Sequence, residues 1–175
     1  TIHAKNSYNI HCRDGIHKIN KKNNLFEISM SKPKYKSKKI EIENIEGCYI
    51  DSGAKNFVIP QEGMWPTDDI IIDISKKIRY NKELFPSGVN VNFFKVINKN
   101  TIEVKTYEKG IEALMNSCAS GSFACAFHYH HKYNINSNIN IINKGGNYVS
   151  IFTNDYGNNF IASNCIIEYS DFYKL

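Results

Sequence analysis

Residues 117–132 read SCASGSFACAFHYHHK, and the architecture turns on how this stretch is read. A run of small residues, Cys118-Ala119-Ser120-Gly121-Ser122, leads into a segment where Ala119, Phe123, Ala126, Phe127 and His130 recur near i, i+4, i+7 and i+8. That spacing predicts a helix over residues 119–132. Small residues at its start let backbone N–H groups reach an anion outside the helix.

Around this helix the dominant period is two. Leu25–Met30, Ile40–Ile45, Val91–Ile97, Thr101–Lys105, Asn138–Ile141, Tyr148–Phe152 and Ile166–Tyr169 read as strands. Turn signals separate them at Asp14-Gly15, Asn23-Asn24, Pro86-Ser87-Gly88, Asn98–Asn100, Gly145-Gly146 and Tyr156-Gly157-Asn158. Val91–Thr106 reads as a hairpin with Asn98–Asn100 at its tip. A second helix is expected over residues 67–78. Thr67 caps it, Asp68 and Asp69 suit its first turn, and Lys76, Lys77 and Arg79 suit its end, although its isoleucines would also suit a strand. The expectation is about nine strands and two helices, with no βαβ alternation and no internal repeat. The fold class is α+β, a mixed, curved sheet or barrel wrapped around a central helix.

The chain has 175 residues, 42% hydrophobic and 22% charged, which suits one globular unit and argues against collagen-like or disordered readings. No apolar run has the roughly 20 residues of a membrane helix, and no charged-then-apolar leader opens the chain. A cytoplasmic protein without membrane attachment is the expectation. Five cysteines at 12, 48, 118, 125 and 165, widely spaced and without a C-x-x-C pair, do not suggest a disulfide framework or structural zinc. The net charge of +5 is mild, and Lys residues concentrate at 32, 34, 36, 38 and 39. A nucleic-acid patch and a solvated connection beyond Pro33 both fit that run. We take the second, and no nucleic-acid partner is expected. The chain opens at Thr1, which suggests processing or truncation.

Cys118 is the sharpest chemical candidate. At a helix N-terminus its thiol is expected to be acidified, and the same N–H groups can hold a carboxylate while the sulfur exchanges a proton with the adjacent carbon. A small buried hydrophobe is the alternative reading. Asn90 could offer an amide near the start of a strand. Glu108 and Lys109 end another strand, where adjacent side chains face opposite ways and would do different jobs. Cys125, His128, His130 and His131 do not converge as one helix face, so no metal site is expected there.

These pieces, taken in order, resemble the C-terminal half of diaminopimelate epimerase. The resemblance rests on Asp14-Gly15-Ile16-His17, Asp51-Ser52-Gly53, Ile78–Asn81, Phe85–Phe93, Thr106–Gly110, Ser117–Gly121 and Lys144-Gly145-Gly146. It implies a two-lobed fold with the active site between lobes, no pyridoxal phosphate, no metal and no other cofactor. It implies two cysteines facing opposite sides of the substrate α-carbon, one removing a proton and the other returning one. Cys118 would be the second of these and Glu108 would assist it. Ala119 and Ser120 would bind the α-carboxylate through their backbone N–H groups, and Asn90 and Lys109 the far end of the substrate.

The departures fall on ligand-facing positions. The family's Cys-Gly-Asn-Gly segment has no match, so residues 1–175 read as the second lobe, with the N-terminal lobe as an absent partner. Asn-Pro-His appears as Ala54-Lys55-Asn56, leaving Asn56 as the substrate contact, and Glu-Arg appears as Glu108-Lys109. Cys-Gly-Thr-Gly becomes Cys118-Ala119-Ser120-Gly121, and Gly-Pro-Ala becomes Ser163-Asn164-Cys165. The expected reaction is conversion of LL- to meso-diaminopimelate, a lysine and peptidoglycan precursor, with the isolated chain inactive. The alternatives are a racemase of another amino acid and a non-catalytic lobe serving as a binding or assembly partner. Related enzymes are often dimers, so a homodimer is one assembly to test.

Overall fold

The computed structural model describes residues 6–12 and 14–164. Within them the chain forms β1 (Ser7–Cys12), β2 (Gly15–Lys22), β3 (Leu25–Met30), β4 (Lys34–Ile42), β5 (Ile45–Asp51), β6 (Lys55–Pro60), α1 (Asp68–Arg79), β7 (Asn90–Asn98) and β8 (Thr101–Glu108). It continues with β9 (Ala113–Met115), α2 (Ala119–Tyr133), β10 (Ile139–Asn143), β11 (Tyr148–Thr153) and β12 (Asn159–Asn164). The strands make one mixed sheet in the order β1-β2-β3-β12-β11-β10-β8-β7-β6-β5-β4, with β9 paired to β8. The strand read at Ile166–Tyr169 lies outside the described residues. No helix among the described residues is long and apolar enough to cross a membrane.

Three expectations need correction. The alternating run Ile40–Ile45 is not one strand, because Glu43 and Asn44 both take positive φ (52° and 63°) and turn the chain between β4 and β5. Two successive left-handed residues form the hairpin turn that matches strand twist, so alternation continues across it in sequence while the strand ends. The lysine run is not a connection but the body of β4, an edge strand among those described. Charged edges discourage pairing with another sheet. Finally, βαβ units are present. β6 and β7 are parallel neighbours joined through α1, and β8 and β10 are parallel neighbours joined through β9 and α2. Intervening hairpins hide that alternation from a linear reading.

The two helices lie on opposite faces of the sheet. On β7, Phe93 packs with Ile71 and Ile78 of α1, while Phe94 packs with the core that contains Phe123, Ala126 and Tyr129 of α2. β6 likewise sends Phe57 and Ile59 to one core and Val58 to the other. Both faces of these strands are covered, so they read as continuous apolar runs. α1 buries a single stripe, Ile71, Ser75, Ile78 and Arg79, and is capped as expected, with Thr67 Oγ1 accepting from Ile70 N at 3.5 Å. α2 differs from its predicted stripe. Residues 121–126 are all buried while Ala119 is exposed, because the sheet wraps the helix on nearly all sides.

Candidate active site

The start of α2 meets the sheet where β6 and β7 begin and β5 and β8 end. Gly121 makes that approach close. A Cβ there would lie 2.1 Å from Asn92 Oδ1 and 2.8 Å from Thr106 Oγ1, so no larger residue fits without displacement. The contact sets Cys118, Ala119 and Ser120 at the wall of a cleft of about 1160 Å³. Asn90, Glu108 and Lys109 line the same cleft.

Under this wall runs a buried amide network. Asn56 Nδ2 donates to Ser52 Oγ (3.0 Å) and to Ala54 O (2.8 Å), and its Oδ1 accepts from Asn92 Nδ2 (3.0 Å) and Asn90 Nδ2 (3.4 Å). Ser52 Oγ donates to Ser120 O at 2.9 Å, tying the loop after β5 to the first turn of α2. Asn90 Oδ1 accepts from Lys109 N at 2.9 Å. Asn56 is fully buried and does not line the cleft, which corrects its expected place as a direct substrate contact. Its position along β6 points it into the sheet junction, where it orients Asn90 and Ser52. The amide of Asn90 is likewise engaged on both sides, although the residue reaches the cleft surface.

Glu108 and Lys109 share the cleft instead of facing opposite ways, because β8 ends at Glu108 and alternation stops there. The turn that follows is held by Glu112, whose N–H donates to Glu108 O at 2.8 Å and whose carboxylate takes a 2.8 Å bond from buried Arg79. Lys109 Nζ donates to Ser87 O at 3.4 Å.

Cys118 occupies the N-cap of α2, is 8% exposed and lines the cleft. The expectation of an acidified thiol does not hold in this state. Burial lifts its pKa and the Glu108 carboxylate lifts it further, outweighing the Gly121 N–H and the Ser120 hydroxyl, which favour the thiolate. The Ser120 Oγ lies 3.7 Å from the sulfur. The group is a protonated thiol with thiolate-stabilising donors already beside it.

Several further residues, to which the sequence assigns no individual role, line the cleft. Lys32 and Lys34 line it from the lysine run, and Lys55 lines it while ion-paired to Asp51. Alternation along β4 is the signal that could have placed some of those lysines on one face. Ser52, Asn92 and Thr106 fall within stretches that carry the resemblance, yet nothing in the sequence assigns them a role in the network beneath the cleft. On α2, His128 Nδ1 contacts Tyr35 Oη (3.0 Å) and Cys48 Sγ (3.3 Å), whereas His130 Nε2 donates to Ser137 O (2.9 Å). The histidines are thus spent in separate contacts. Of the Ser163-Asn164-Cys165 triplet, Cys165 lies outside the described residues.

No family model matches the chain. Among curated proteins, diaminopimelate epimerase of Aquifex aeolicus (strain VF5) is 31% identical over 134 residues, covering 75% of this chain and 47% of that protein. Diaminopimelate epimerase of Archaeoglobus fulgidus is 34% identical over 131 residues, covering 69% and 46%. The chain spans about half the length of these relatives. Among solved structures, a probable proline racemase from Agrobacterium radiobacter K84 superposes with a TM-score of 0.72 at 10% identity, covering 94% of this chain and 59% of that one. A hydroxyproline epimerase from Agrobacterium vitis gives 0.70, also at 10% identity, with the same coverages. These structural likenesses establish a shared α+β fold.

Proposed function

We propose, from the premise that this chain belongs to the diaminopimelate-epimerase-like family, that it supplies one acid–base half of a cofactor-independent amino-acid epimerase. The reaction is inversion of LL- to meso-diaminopimelate. The observation that carries the reading is the convergence of Cys118, Glu108 and the first turn of α2 on one cleft wall.

The substrate α-carboxylate sits against the backbone of Ala119 and Ser120, where the positive end of the helix favours an anion. That charge also stabilises the carbanion-like electron density that develops when the α-proton leaves. A base on the far side of the α-carbon removes that proton, and Cys118 gives its own thiol proton to the near side. The electron pair stays on carbon throughout, and the proton count balances. The thiolate left on Cys118 is stabilised by the Gly121 N–H and the Ser120 hydroxyl. A raised thiol pKa suits this donor role. In the reverse direction the thiolate form is the base. Lys109 and Asn90 border the far end of the substrate, and Asn56 holds Asn90 in place.

In this proposal the opposite-face thiol belongs to a second lobe, and closure of that lobe excludes water from the cleft. Homodimerisation is a further assembly to be tested. The substituted segment Ala54-Lys55-Asn56, with Lys55 held by Asp51 at the cleft wall, motivates testing other amino acids alongside diaminopimelate.

The test is α-hydrogen exchange in D2O, followed by NMR, on protein expressed from the whole reading frame. LL-diaminopimelate is compared with a panel of other amino acids. Exchange with one substrate, lost by at least a hundredfold in Cys118→Ser, is expected. Exchange unchanged in Cys118→Ser overturns the assignment. Residues 1–175 alone are expected not to turn over, and epimerisation by them would show that a single lobe suffices.

A further inference from the structure

A cluster of donors stands apart from the Cys118 chemistry, at the turn between β1 and β2. In the register of that hairpin Ile10 pairs with His17 and Cys12 with Gly15, so Cys12 and His17 project on the same face as diagonal neighbours. Asp14 immediately precedes Gly15, between them in sequence. The Cys12 Sγ, an Asp14 carboxylate oxygen and a ring nitrogen of His17 lie within 4.8 Å of one another. The geometry points to a zinc-class divalent cation site formed by Cys12, Asp14 and His17.

Three features support it. His17 is buried, and its Nδ1–H donates to Ser29 O at 2.7 Å, which fixes the ring and turns Nε2 toward Asp14. A backbone carbonyl on the second nitrogen is the usual support for a metal-bound histidine. Second, Nε2 lies 3.0 Å from Asp14 Oδ1, while two ligands of a tetrahedral zinc stand about 3.4 Å apart, so this pair needs to part by only a few tenths of an ångström to share the ion. Third, one thiolate, one imidazole and one carboxylate are a donor set that favours zinc over magnesium or calcium. On binding, the Cys12 thiol releases its proton to buffer, and the resulting thiolate, the lone pair of His17 Nε2 in its Nδ1–H tautomer and an Asp14 carboxylate oxygen each donate to the cation.

Three ligands leave a fourth position for water or an incoming carboxylate. Asp14 also lines the wide cleft and rests against Gly53, whose positive φ of 93° and absent Cβ make room for its carboxylate. The cation would therefore sit at the cleft rim. It does not depend on the proposed proton transfer, since neither Cys118 nor Glu108 takes part.

Cobalt(II) titration of the 175-residue chain under reducing conditions tests the site. The expected result is one Co2+ per chain with a thiolate-to-cobalt charge-transfer band in the near ultraviolet, displaced by Zn2+. The band should vanish in Cys12→Ser, which changes an exposed side chain, and cobalt affinity should fall at least tenfold in His17→Gln. It should persist in Cys118→Ser, which separates this site from the proposed catalytic thiol. Absence of the band in the parent chain, or its survival in Cys12→Ser, overturns the assignment. Circular dichroism on each variant ensures that the loss of the band is not loss of the fold.

Discussion

Replacing Gly121 with alanine probes the contact that sets the cleft wall at the start of α2. The added methyl would meet Asn92 Oδ1 at 2.1 Å and Thr106 Oγ1 at 2.8 Å, both on neighbouring buried strands. Neither is the free end of a flexible chain. Thr106 Oγ1 donates to Asn92 Oδ1 at 2.8 Å, and Asn92 Nδ2 donates to Asn56 Oδ1 and Phe57 O, so moving either breaks a buried bond. Overpacking costs about 1–3 kcal/mol and a lost buried hydrogen bond about 1–3 more. Alanine's better helix propensity returns about 1 kcal/mol. The net expectation is a destabilisation of about 3 kcal/mol, or roughly 6–12 °C in Tm for a chain of this size. Urea unfolding with an unchanged m value measures it. In an Asn92→Ala background the obstruction is relieved, so the same substitution should cost at least about 1 kcal/mol less. A loss under about 0.5 kcal/mol in the parent chain, or strictly additive costs, would refute the argument that close approach demands glycine here.

Asn56→Ala should destabilise by about 2–4 kcal/mol, read from urea midpoints, because Ser52, Asn90 and Asn92 each lose a buried partner; a near-neutral result would mean that this amide network does not hold the junction together. The pKa of His128 is drawn down from 6.5 to about 4 by burial, with Lys132 and His131 adding to it. The unfolded chain therefore takes up this proton first as pH falls, and the stability this group contributes is present above about pH 6.5 and lost progressively toward pH 4. Because the ring is partly exposed, the loss should be about 1–2 kcal/mol, and His128→Gln should flatten the stability slope across that window. Parallel slopes in the two proteins would remove His128 as its source. Substituting Asn-Gly for Glu43-Asn44 should raise stability by about 0.5–1 kcal/mol, since both positions hold left-handed backbone, and a fall in the urea midpoint would contradict that turn.

What was legible in the sequence follows from which forces are local. Both helices announced themselves through caps, small residues and spacing, and α1 spans Asp68–Arg79 where residues 67–78 were expected. The glycine and asparagine turns were visible because positive φ restricts composition. The turn at Glu43-Asn44 was not, since glutamate gives no such signal and the isoleucines on either side keep alternating. Crossovers and sheet order were hidden because they depend on pairings between distant segments, such as β12 with β3. The cleft showed the same division. Cys118, Glu108 and Lys109 lie near one another in sequence and share the cleft, whereas Lys55 and Asp51, noted only as parts of resembling segments, come to the wall and pair there through β5 and β6.

The thiol itself shows why a motif cannot settle a protonation state. A helix N-terminus lowers a thiol pKa by a few local N–H dipoles, and that part of the expectation stands, since the Gly121 N–H acts in that direction. Burial and a nearby carboxylate act oppositely, and both arise from folding that brings the end of β8 against the start of α2. The balance falls on the side of the thiol. A substrate carboxylate bound beside it would add negative charge and hold the proton on sulfur more firmly still. In the reaction proposed above, Cys118 would therefore donate a proton at rest, and accept one only after its own proton had gone to carbon. Replacing Glu108 by glutamine removes the protein's own negative charge from this balance, so the thiol should become more acidic and its alkylation by iodoacetamide faster at pH 8. Slower alkylation in that variant, with the fold intact, would mean that Glu108 is not what keeps the proton on Cys118.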